Sequence, residues 1–204
     1  MVLPPPLDLL KEIASTRFAP AFRADEQTMP AVAKHPAPVT ATFAEDGTIP
    51  NNPTLPLVLH RGVIDLARAP DPERLVEKIF TANGWGDMWR DGVYPYVHYH
   101  SMIHEALGVA RVHAKVRFGG DNGREIEITA GDVAILPAGT GHQCLSKSPD
   151  LMVIGAYPPS GKYDLCGGSK AEHARALASI PQVPLPAADP VFGPQGPLVA
   201  LWRP

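Results

Sequence analysis

His98 and His100 carry the strongest chemical signal in the sequence. The segment around them, GVYPYVHYHSMIHE, alternates as a β-strand does. Both imidazoles should therefore project to one face with Cα atoms about 6.6 Å apart, a separation that one metal ion can bridge. Glu105 follows after a turn and can add a carboxylate oxygen. His104 competes for that place, because strand alternation allows only one of the two to point inward.

A second histidine segment, GDVAILPAGTGH, lies further along the chain. We expect a strand that ends at Pro137, a tight turn at Gly139, and His142 at the start of the next strand. Three histidines with one carboxylate suit iron(II), manganese(II), nickel(II) or zinc(II), and ligand softness does not choose among these metals. The sequence therefore predicts one divalent metal ion per chain.

Strand parity also predicts which side chains surround this site. Tyr94, Tyr96 and Met102 fall on the same face as His98 and His100. Tyr96 is a candidate catalytic residue, since a phenol near a metal can donate a proton or orient a substrate. The alternative is that Tyr96 is simply an aromatic residue of the wall.

Short strands separated by turns are expected around both segments. Glycine-rich turns at this spacing are typical of an all-β sandwich or barrel. A helix is predicted over residues 72–82, since Asp71 is a good N-cap and Pro72 suits the first helical position, and a second helix over residues 170–179. The predicted strands span residues 55–64, 94–102, 105–109, 111–118, 124–129, 133–136, 143–145 and 151–157.

The hairpin around the glycine-rich turn of residues 119–123 has two distinct faces. Its outer face places positive side chains opposite negative ones, where they can pair across the strands. Its inner face is aliphatic. The outer residues are Arg111, His113, Lys115 and Arg117, opposite Glu125 and Glu127, and the inner residues are Val112, Val116, Ile126 and Ile128.

Several reactive or aromatic side chains lie outside the predicted ligand set. Parity counted from His142 turns Cys144 and Ser146 inward, and Cys144 is expected to act as a small buried hydrophobe. Trp85 and Trp89 are expected to pack between the first helix and the barrel end rather than to bind a ligand. The histidines that receive no role are His35, His60, His113 and His173.

Proline is frequent and unevenly placed, with 24 prolines in 204 residues. An interior proline costs a helix about 3 kcal/mol, so long helices are excluded. Most prolines lie in residues 1–60 and 151–204, which predicts a regular body between two extended arms. We expect three parts: a helix (7–15) and proline-rich arm over residues 1–53, a β-barrel over 54–160, and a helix and proline-rich tail over 161–204, anchored by Trp202.

Charge and hydrophobicity exclude several partners. The net charge is −3 and the Lys and Arg residues are scattered, which is not the pattern of a nucleic-acid-binding protein. No apolar run approaches the roughly 18 residues that span a membrane, and no signal peptide is recognised. Two cysteines fit a reducing compartment, so we expect a cytoplasmic protein. Arms too long to be loops of one small barrel predict a homodimer.

The two histidine segments resemble the paired motifs of the cupins. The first motif is matched by Gly92, His98, His100 and Glu105, and the second by Gly131, Pro137, Gly139 and His142. Val112 stands where the first motif ends in glycine, and Ser146 replaces the final asparagine of the second, both at turn or packing positions. The resemblance implies an all-β, cupin-type double-stranded β-helix, or jelly-roll barrel, with a few short helices.

Two longer runs, NGWGDMWRDGVYPYVHYHS and GAYPPSGKYDL, are similar to a group of uncharacterised bacterial single-domain cupins, the YjlB-like proteins. This resemblance implies one metal ion near the barrel mouth, held by His98, His100, Glu105 and His142. It favours Glu105 over His104 as the fourth ligand.

An octahedral ion with four protein ligands keeps two open positions, for a bidentate substrate or for a substrate and dioxygen. We therefore expect a metal-dependent enzyme acting on a small polar, oxygen-bearing metabolite. Among the candidate activities we favour a dioxygenase, which is an oxidoreductase. A decarboxylase or an isomerase is the next candidate. Tyr96 and Glu105 are the candidate catalytic residues. The alternative is a non-catalytic module that binds a sugar or organic acid, although no helix-turn-helix output domain is recognised.

Overall fold

Two packed antiparallel β-sheets form the body of the protein in the computed structural model, which describes residues 37–203. The large sheet has the strand order β1-β2-β7-β4-β9-β3, and the small sheet has the order β6-β5-β8. This arrangement confirms the prediction of an all-β sandwich or barrel. The strands are β1 Val39–Ala41, β2 Leu57–His60, β3 Gly86–Asp91, β4 Glu105–Arg111, β5 His113–Phe118, β6 Arg124–Thr129, β7 Val133–Leu136, β8 His142–Lys147 and β9 Met152–Tyr157.

The core has two large parts, one on each face of the large sheet, and a smaller third part around Tyr99 and Ile180. Aliphatic side chains between the two sheets, such as Leu107 from β4 and Val116 from β5, form the inner part. The outer part lies between the large sheet, a helix and the C-terminal segment, and Phe80 and Trp202 are buried there. Within residues 37–203, three α-helices accompany the sheets: α1 Pro72–Ala82, α2 Lys170–Ser179 and α3 Pro197–Trp202.

Helix α1 begins and ends as its sequence predicts. The side chain of Asp71 accepts a hydrogen bond from the Arg74 amide at 2.9 Å, and proline occupies the first helical turn. Val76 and Phe80 on its buried face lie against Gly108 of β4, where an added Cβ would stand 2.7 Å from Val76 Cγ1 and 2.9 Å from Phe80 Cζ. The missing side chain at residue 108 therefore lets the helix pack closely on the sheet.

The predicted hairpin forms, with β5 and β6 paired in the expected register. Arg117 lies opposite Glu125 and donates to it at 3.0 Å. Two assignments at its start are wrong. Arg111 ends β4 and pairs with Glu73 of α1, and Val112 is a half-exposed corner with φ of 50° instead of an inward strand residue.

The strand predicted over residues 94–102 is wrong. Residues 92–104 are irregular apart from isolated bridges that pair His98 with His142 and Tyr99 with Cys166. Pro95 cannot donate a hydrogen bond to a ladder, so the local alternation does not become a continuous strand. Strands β1 and β3 were not predicted, and β1 lies within the segment interpreted as an arm. The helix predicted over residues 7–15 lies outside the described residues.

The C-terminal segment, residues 188–203, covers the outer face of the large sheet, where Val191, Leu198 and Trp202 are buried. Helix α2 has the predicted bounds and a capping box between Ser169 and Glu172. Trp202 is buried and its Nε1 donates to the Pro56 carbonyl at 2.9 Å, which confirms the expected anchor. His60 Nε2 lies 2.9 Å from Asp189 Oδ2, so this segment is also tied to β2. Among residues 37–203, no helix is long and apolar enough to cross a membrane.

Candidate metal centre

Three buried histidines converge at one end of the barrel. Possible ligand nitrogens of His98, His100 and His142 all lie within 4.8 Å of one another. The two segments that carry them are joined by reciprocal backbone hydrogen bonds between residues 98 and 142, at 3.2 and 2.9 Å. Gly139, with φ of 92° as its predicted tight turn requires, donates to the His100 carbonyl at 2.7 Å. The backbone thus brings the three imidazoles together.

Each of these imidazoles uses its Nδ1 for a hydrogen bond to a backbone carbonyl. A carbonyl oxygen only accepts, so Nδ1 carries the proton and Nε2 keeps its lone pair. This is the arrangement that orients histidines as metal ligands through Nε2. The acceptors are Tyr96 O for His98 and Thr140 O for His142, both at 3.1 Å, and Asp164 O for His100.

Glu105 completes the cluster with a buried carboxylate. Its Oε2 lies 3.3 Å from His142 Nε2 and 3.5 Å from His100 Nε2. Among the described residues this oxygen has no hydrogen-bond partner. A carboxylate oxygen facing two lone pairs is unfavourable unless a proton or a metal ion lies between them. The residues present therefore fit a divalent cation.

Burial and mutual charge shift the pKa values of this cluster. Burial lowers the pKa of His98 to about 3, which keeps that imidazole neutral and able to bind a metal. Burial also acts against a charge on His100, but the neighbouring Glu105 carboxylate outweighs it and raises the pKa of His100. Burial opposes the charge of Glu105 as well, and His100 and His142 lower its pKa in spite of this.

His104 points away from the three histidines, although it precedes Glu105 directly. Its Nδ1 accepts a hydrogen bond from the Ala138 amide at 2.9 Å, and its ring lies 4.7 Å from that of Trp202. Burial lowers the pKa of His104 to about 4, so the ring is neutral. Of the two competitors for the carboxylate's place, the structure thus brings Glu105 to the cluster and packs His104 against the C-terminal segment.

A cavity of about 530 Å³ opens onto the cluster. Its wall includes Tyr157 and Tyr163, whose rings lie 5.9 and 5.1 Å from that of His100. The Nε1 of Trp89, another wall residue, donates to Tyr157 Oη at 3.0 Å. Burial and the nearby Glu105 carboxylate raise the pKa of Tyr157, so its hydroxyl stays protonated at neutral pH.

The aromatic residues predicted around the site take different positions. Tyr94 lines the cavity, whereas Tyr96 stacks on it at 4.9 Å between ring centroids and is half exposed outside the lining. The Tyr96 ring still lies 5.7 Å from that of His98, and its catalytic role stays a prediction. Met102 is also partly exposed and does not line the cavity.

Sequence reasoning missed the role of residues 157–164. Tyr157 and Tyr163 form cavity wall, and Asp164 accepts the Nδ1 hydrogen bond of His100 through its carbonyl. The carboxylate of Asp164 also accepts from Ser101 Oγ at 2.6 Å and from the Ser101 amide at 2.9 Å. The run GAYPPSGKYDL marked this segment as characteristic of the resemblance, but its spacing did not indicate a contact with His100.

The remaining sequence-based assignments have mixed outcomes. Cys144 is buried in the inner core, as predicted. Ser146 is exposed, so its inward assignment is wrong. The β5–β8 pairing shifts by one residue between Lys115 and Val116, and this irregularity reverses the parity. Trp85 packs in the outer core as expected, and Trp89 takes part in the cavity wall instead.

Comparison with known proteins identifies the family. No family model matches the chain. Over 163 residues, however, it is 42% identical to the uncharacterized protein YjlB of Bacillus subtilis, a match that spans 80% of this chain and 95% of that protein. The chain belongs to the YjlB-like cupins. The two-sheet body of this YjlB-like cupin is accordingly a double-stranded β-helix, as the motifs implied.

Solved structures with a distant likeness to this YjlB-like cupin include an acireductone dioxygenase from Bacillus anthracis with a cadmium ion in its active centre. That likeness has 11% identity and a TM-score of 0.37, and covers 52% of this chain and 80% of that one. A protein with a double-stranded β-helix domain from Klebsiella pneumoniae is 15% identical, with a TM-score of 0.33. The match covers 72% of this chain and 98% of that one. An oxalate decarboxylase from Bacillus subtilis is 16% identical, with a TM-score of 0.31. The match covers 56% of this chain and 24% of that one.

Proposed function

We propose that this YjlB-like cupin is a metal-dependent enzyme that acts on a small oxygen-bearing metabolite, with dioxygenation as the first activity to test and decarboxylation or isomerisation as the next. The convergence of the Glu105 carboxylate and three Nδ1-protonated imidazoles carries this proposal. An ion bound there supplies Lewis acidity and, if it is redox-active, a route for dioxygen.

The side chains of the site divide into holding and orienting groups. His98, His100, His142 and Glu105 would hold the ion, and their burial leaves it open to water only on the side of the cavity. Tyr157 remains a protonated phenol fixed by Trp89, so its proton can be donated to a substrate in the cavity.

Metal analysis tests whether these candidate ligands bind an ion. Protein expressed with iron, manganese, nickel or zinc in turn should contain about one ion per chain for at least one metal. His142→Ala should lose that metal, because it removes one of three imidazoles. His113→Ala is the matched control, since this exposed histidine does not line the cavity and its ring bonds, among the described residues, only Ser148. Circular dichroism must show that both variants are folded.

Substoichiometric metal in every preparation would contradict the metal site. If metal binds, oxygen uptake by the iron- and manganese-loaded protein should be measured with phenolic, keto-acid and sugar substrates, and labelled dioxygen should appear in the product. Tight binding without turnover of any compound would instead favour the non-catalytic binding module.

A further inference from the structure

The cavity wall beyond the candidate metal ligands is mostly apolar and aromatic. Ile103 and Leu107 are buried aliphatic residues in its wall. Trp89, Tyr94, Tyr157 and Tyr163 add four aromatic rings. Those of Tyr157 and Tyr163 meet nearly edge to face, with centroids 5.5 Å apart. Such walls favour a ligand with a flat apolar body.

Charged residues of the wall lie mainly at its exposed rim. Asp87, Arg90 and Asp91 are exposed, and Glu105 is the buried one. Arg90 is the only Lys or Arg in the described lining, and its guanidinium donates to both carboxylate oxygens of Glu77, at 2.6 and 2.8 Å. Besides the bound ion, a dicarboxylate or a phosphorylated sugar would therefore meet three carboxylates and no uncommitted Lys or Arg within the described lining, although the exposed Lys147 lies beside the lining residue Gly92.

The deep part of the cavity also offers few hydrogen-bond partners for a sugar. A sugar carries hydroxyl groups on every side, and each one that loses water needs a hydrogen-bond partner. The described wall places its deep polar groups at one end, around Glu105 and the three histidines. A ligand that fits has its oxygen atoms together at one edge and an apolar surface elsewhere.

We infer that the substrate is a planar aromatic compound with oxygens on adjacent ring carbons, of the catechol type. This inference rests on the proposed metal-dependent function and narrows its substrate class. The oxygen-bearing edge faces His98, His100 and His142, and the ring contacts Tyr157 and Tyr163. A cavity of about 530 Å³ has room for one such ring with a substituent.

Calorimetric titration of the zinc-loaded full chain with 4-nitrocatechol tests the substrate class, because zinc is redox-inert and no turnover is needed. Succinate and glucose serve as comparison ligands, and both should bind at least about tenfold more weakly than 4-nitrocatechol. Zinc content is measured before and after each titration, so that removal of the metal by the ligand is detected.

Variants of a cavity-wall residue test whether 4-nitrocatechol binds in the cavity. Tyr163→Ala should weaken 4-nitrocatechol binding about tenfold, because it removes a ring contact, whereas Tyr163→Phe should retain it. Tyr163 is 52% exposed, so neither change should unfold the protein. Leu177→Ala is the control for truncating an exposed side chain outside the cavity, since Leu177 is 47% exposed on α2.

The possible failures can be told apart. Protein that holds about one zinc per chain but binds succinate more tightly than 4-nitrocatechol overturns the substrate class and leaves the metal function standing. Unchanged affinity in Tyr163→Ala overturns the assigned ring contact and with it this inference. Protein that holds no zinc, iron, manganese or nickel overturns the proposed function itself.

Discussion

Asp164 shows how a single residue outside both motifs can set the geometry of a ligand. Its backbone carbonyl fixes His100 Nδ1, and its carboxylate accepts from the amides of Ser101 and Met102 at 2.9 and 3.1 Å. One residue therefore holds both the imidazole and the backbone that follows it. Its distance along the chain explains why local sequence patterns did not indicate it.

Asp164→Ala keeps the backbone carbonyl that accepts from His100 but removes the carboxylate that holds the Ser101 and Met102 amides. We therefore expect metal affinity to fall about 10-fold, the lower end of the effect of losing a group that supports a ligand. Competition with a chromophoric chelator measures this change. Asp46→Ala is the matched control, because Asp46 also accepts from two backbone amides, those of Thr48 and Ile49, but in a turn away from the site. Equal loss of affinity in both variants would contradict a specific role for Asp164.

Val112 occupies a backbone conformation that suits glycine. Its φ of 50° is unfavourable for a β-branched residue by roughly 1–2 kcal/mol. Glycine relieves this strain but adds entropy to the unfolded chain, so Val112→Gly should stabilise the protein by about 0.5–1 kcal/mol. The free energy of unfolding in urea measures the change.

Val39→Gly is the control for Val112→Gly. Val39 has a similar exposure, 45% against 40%, and is not among the residues with positive φ. Glycine there should destabilise the protein, because only the entropic cost remains. A destabilising Val112→Gly would show that the strain is smaller than the geometry indicates. The glycine expected from the cupin motif thus has a physical reason at this corner.

At the scale of elements, the helices and strands that carry strong local signals could be predicted from the sequence. Helix α1 has a cap and a proline start, α2 has a capping box, and the two strands of the β5–β6 hairpin alternate around a glycine-rich turn. The segment before β4 also alternates but does not form a strand, because its backbone bonds go to the distant residues His142 and Cys166. Short edge strands such as β1 depend on a partner, β2, and carry little signal of their own.

The candidate site could be predicted as a set of ligands but not as a cavity. The spacing of the two motifs indicated the three histidines and Glu105. Alternation separated Glu105 from His104, although it could not say which of them points inward. Tyr157 and Tyr163 reach the cavity through tertiary packing, so no local pattern reported them.

Close packing of α1 on β4 gives a test at this scale. Gly108→Ala should destabilise the protein by about 1–3 kcal/mol, since the new Cβ overlaps Val76 and Phe80 and the helix must move. Thermal unfolding measures the change. Gly86→Ala is the control, because a Cβ there would meet none of the described residues within 4 Å and the residue does not have a positive φ. Similar effects of the two substitutions would contradict the packing argument.

At the scale of the whole molecule, a buried pair ties the C-terminal segment to the barrel. Asp189 is fully buried, contacts His60 at 2.9 Å and accepts from the amides of Val191 and Leu198. Burial opposes the charge of Asp189, but the hydrogen bond from His60 and these amides lower its pKa. A lowered pKa in the folded protein stabilises it above the unfolded pKa of about 3.9, and this stabilisation is lost as the pH falls through the folded pKa.

Asp189→Asn should therefore cost about 3 kcal/mol at pH 7, because it removes one partner of a buried pair. The gap between variant and wild type should narrow as the pH is lowered below 4. Urea unfolding at several pH values measures both effects. Asp121→Asn, at a 90% exposed side chain paired with Arg117, should change stability by less than about 1 kcal/mol. A gap for Asp189→Asn that does not depend on pH would contradict the assignment.

We propose that the protein is a homodimer, as the length of the proline-rich arms suggests. Light scattering at micromolar concentration should then give twice the chain mass of 21.8 kDa. A mass of one chain would refute this proposal without affecting the metal centre, whose candidate ligands all come from one chain.

The pairing of residues 98 and 142 has a consequence for quality control during protein production. His98 and His100 lie on one segment, but His142 joins them only when β8 has paired with β5 and its first residue has bonded back to residue 98. A chain that stops short of this state offers two imidazoles and binds metal weakly. Once one preparation has reached about one ion per chain, a lower ratio in another preparation saturated with the same metal would measure the fraction of barrels that have not closed.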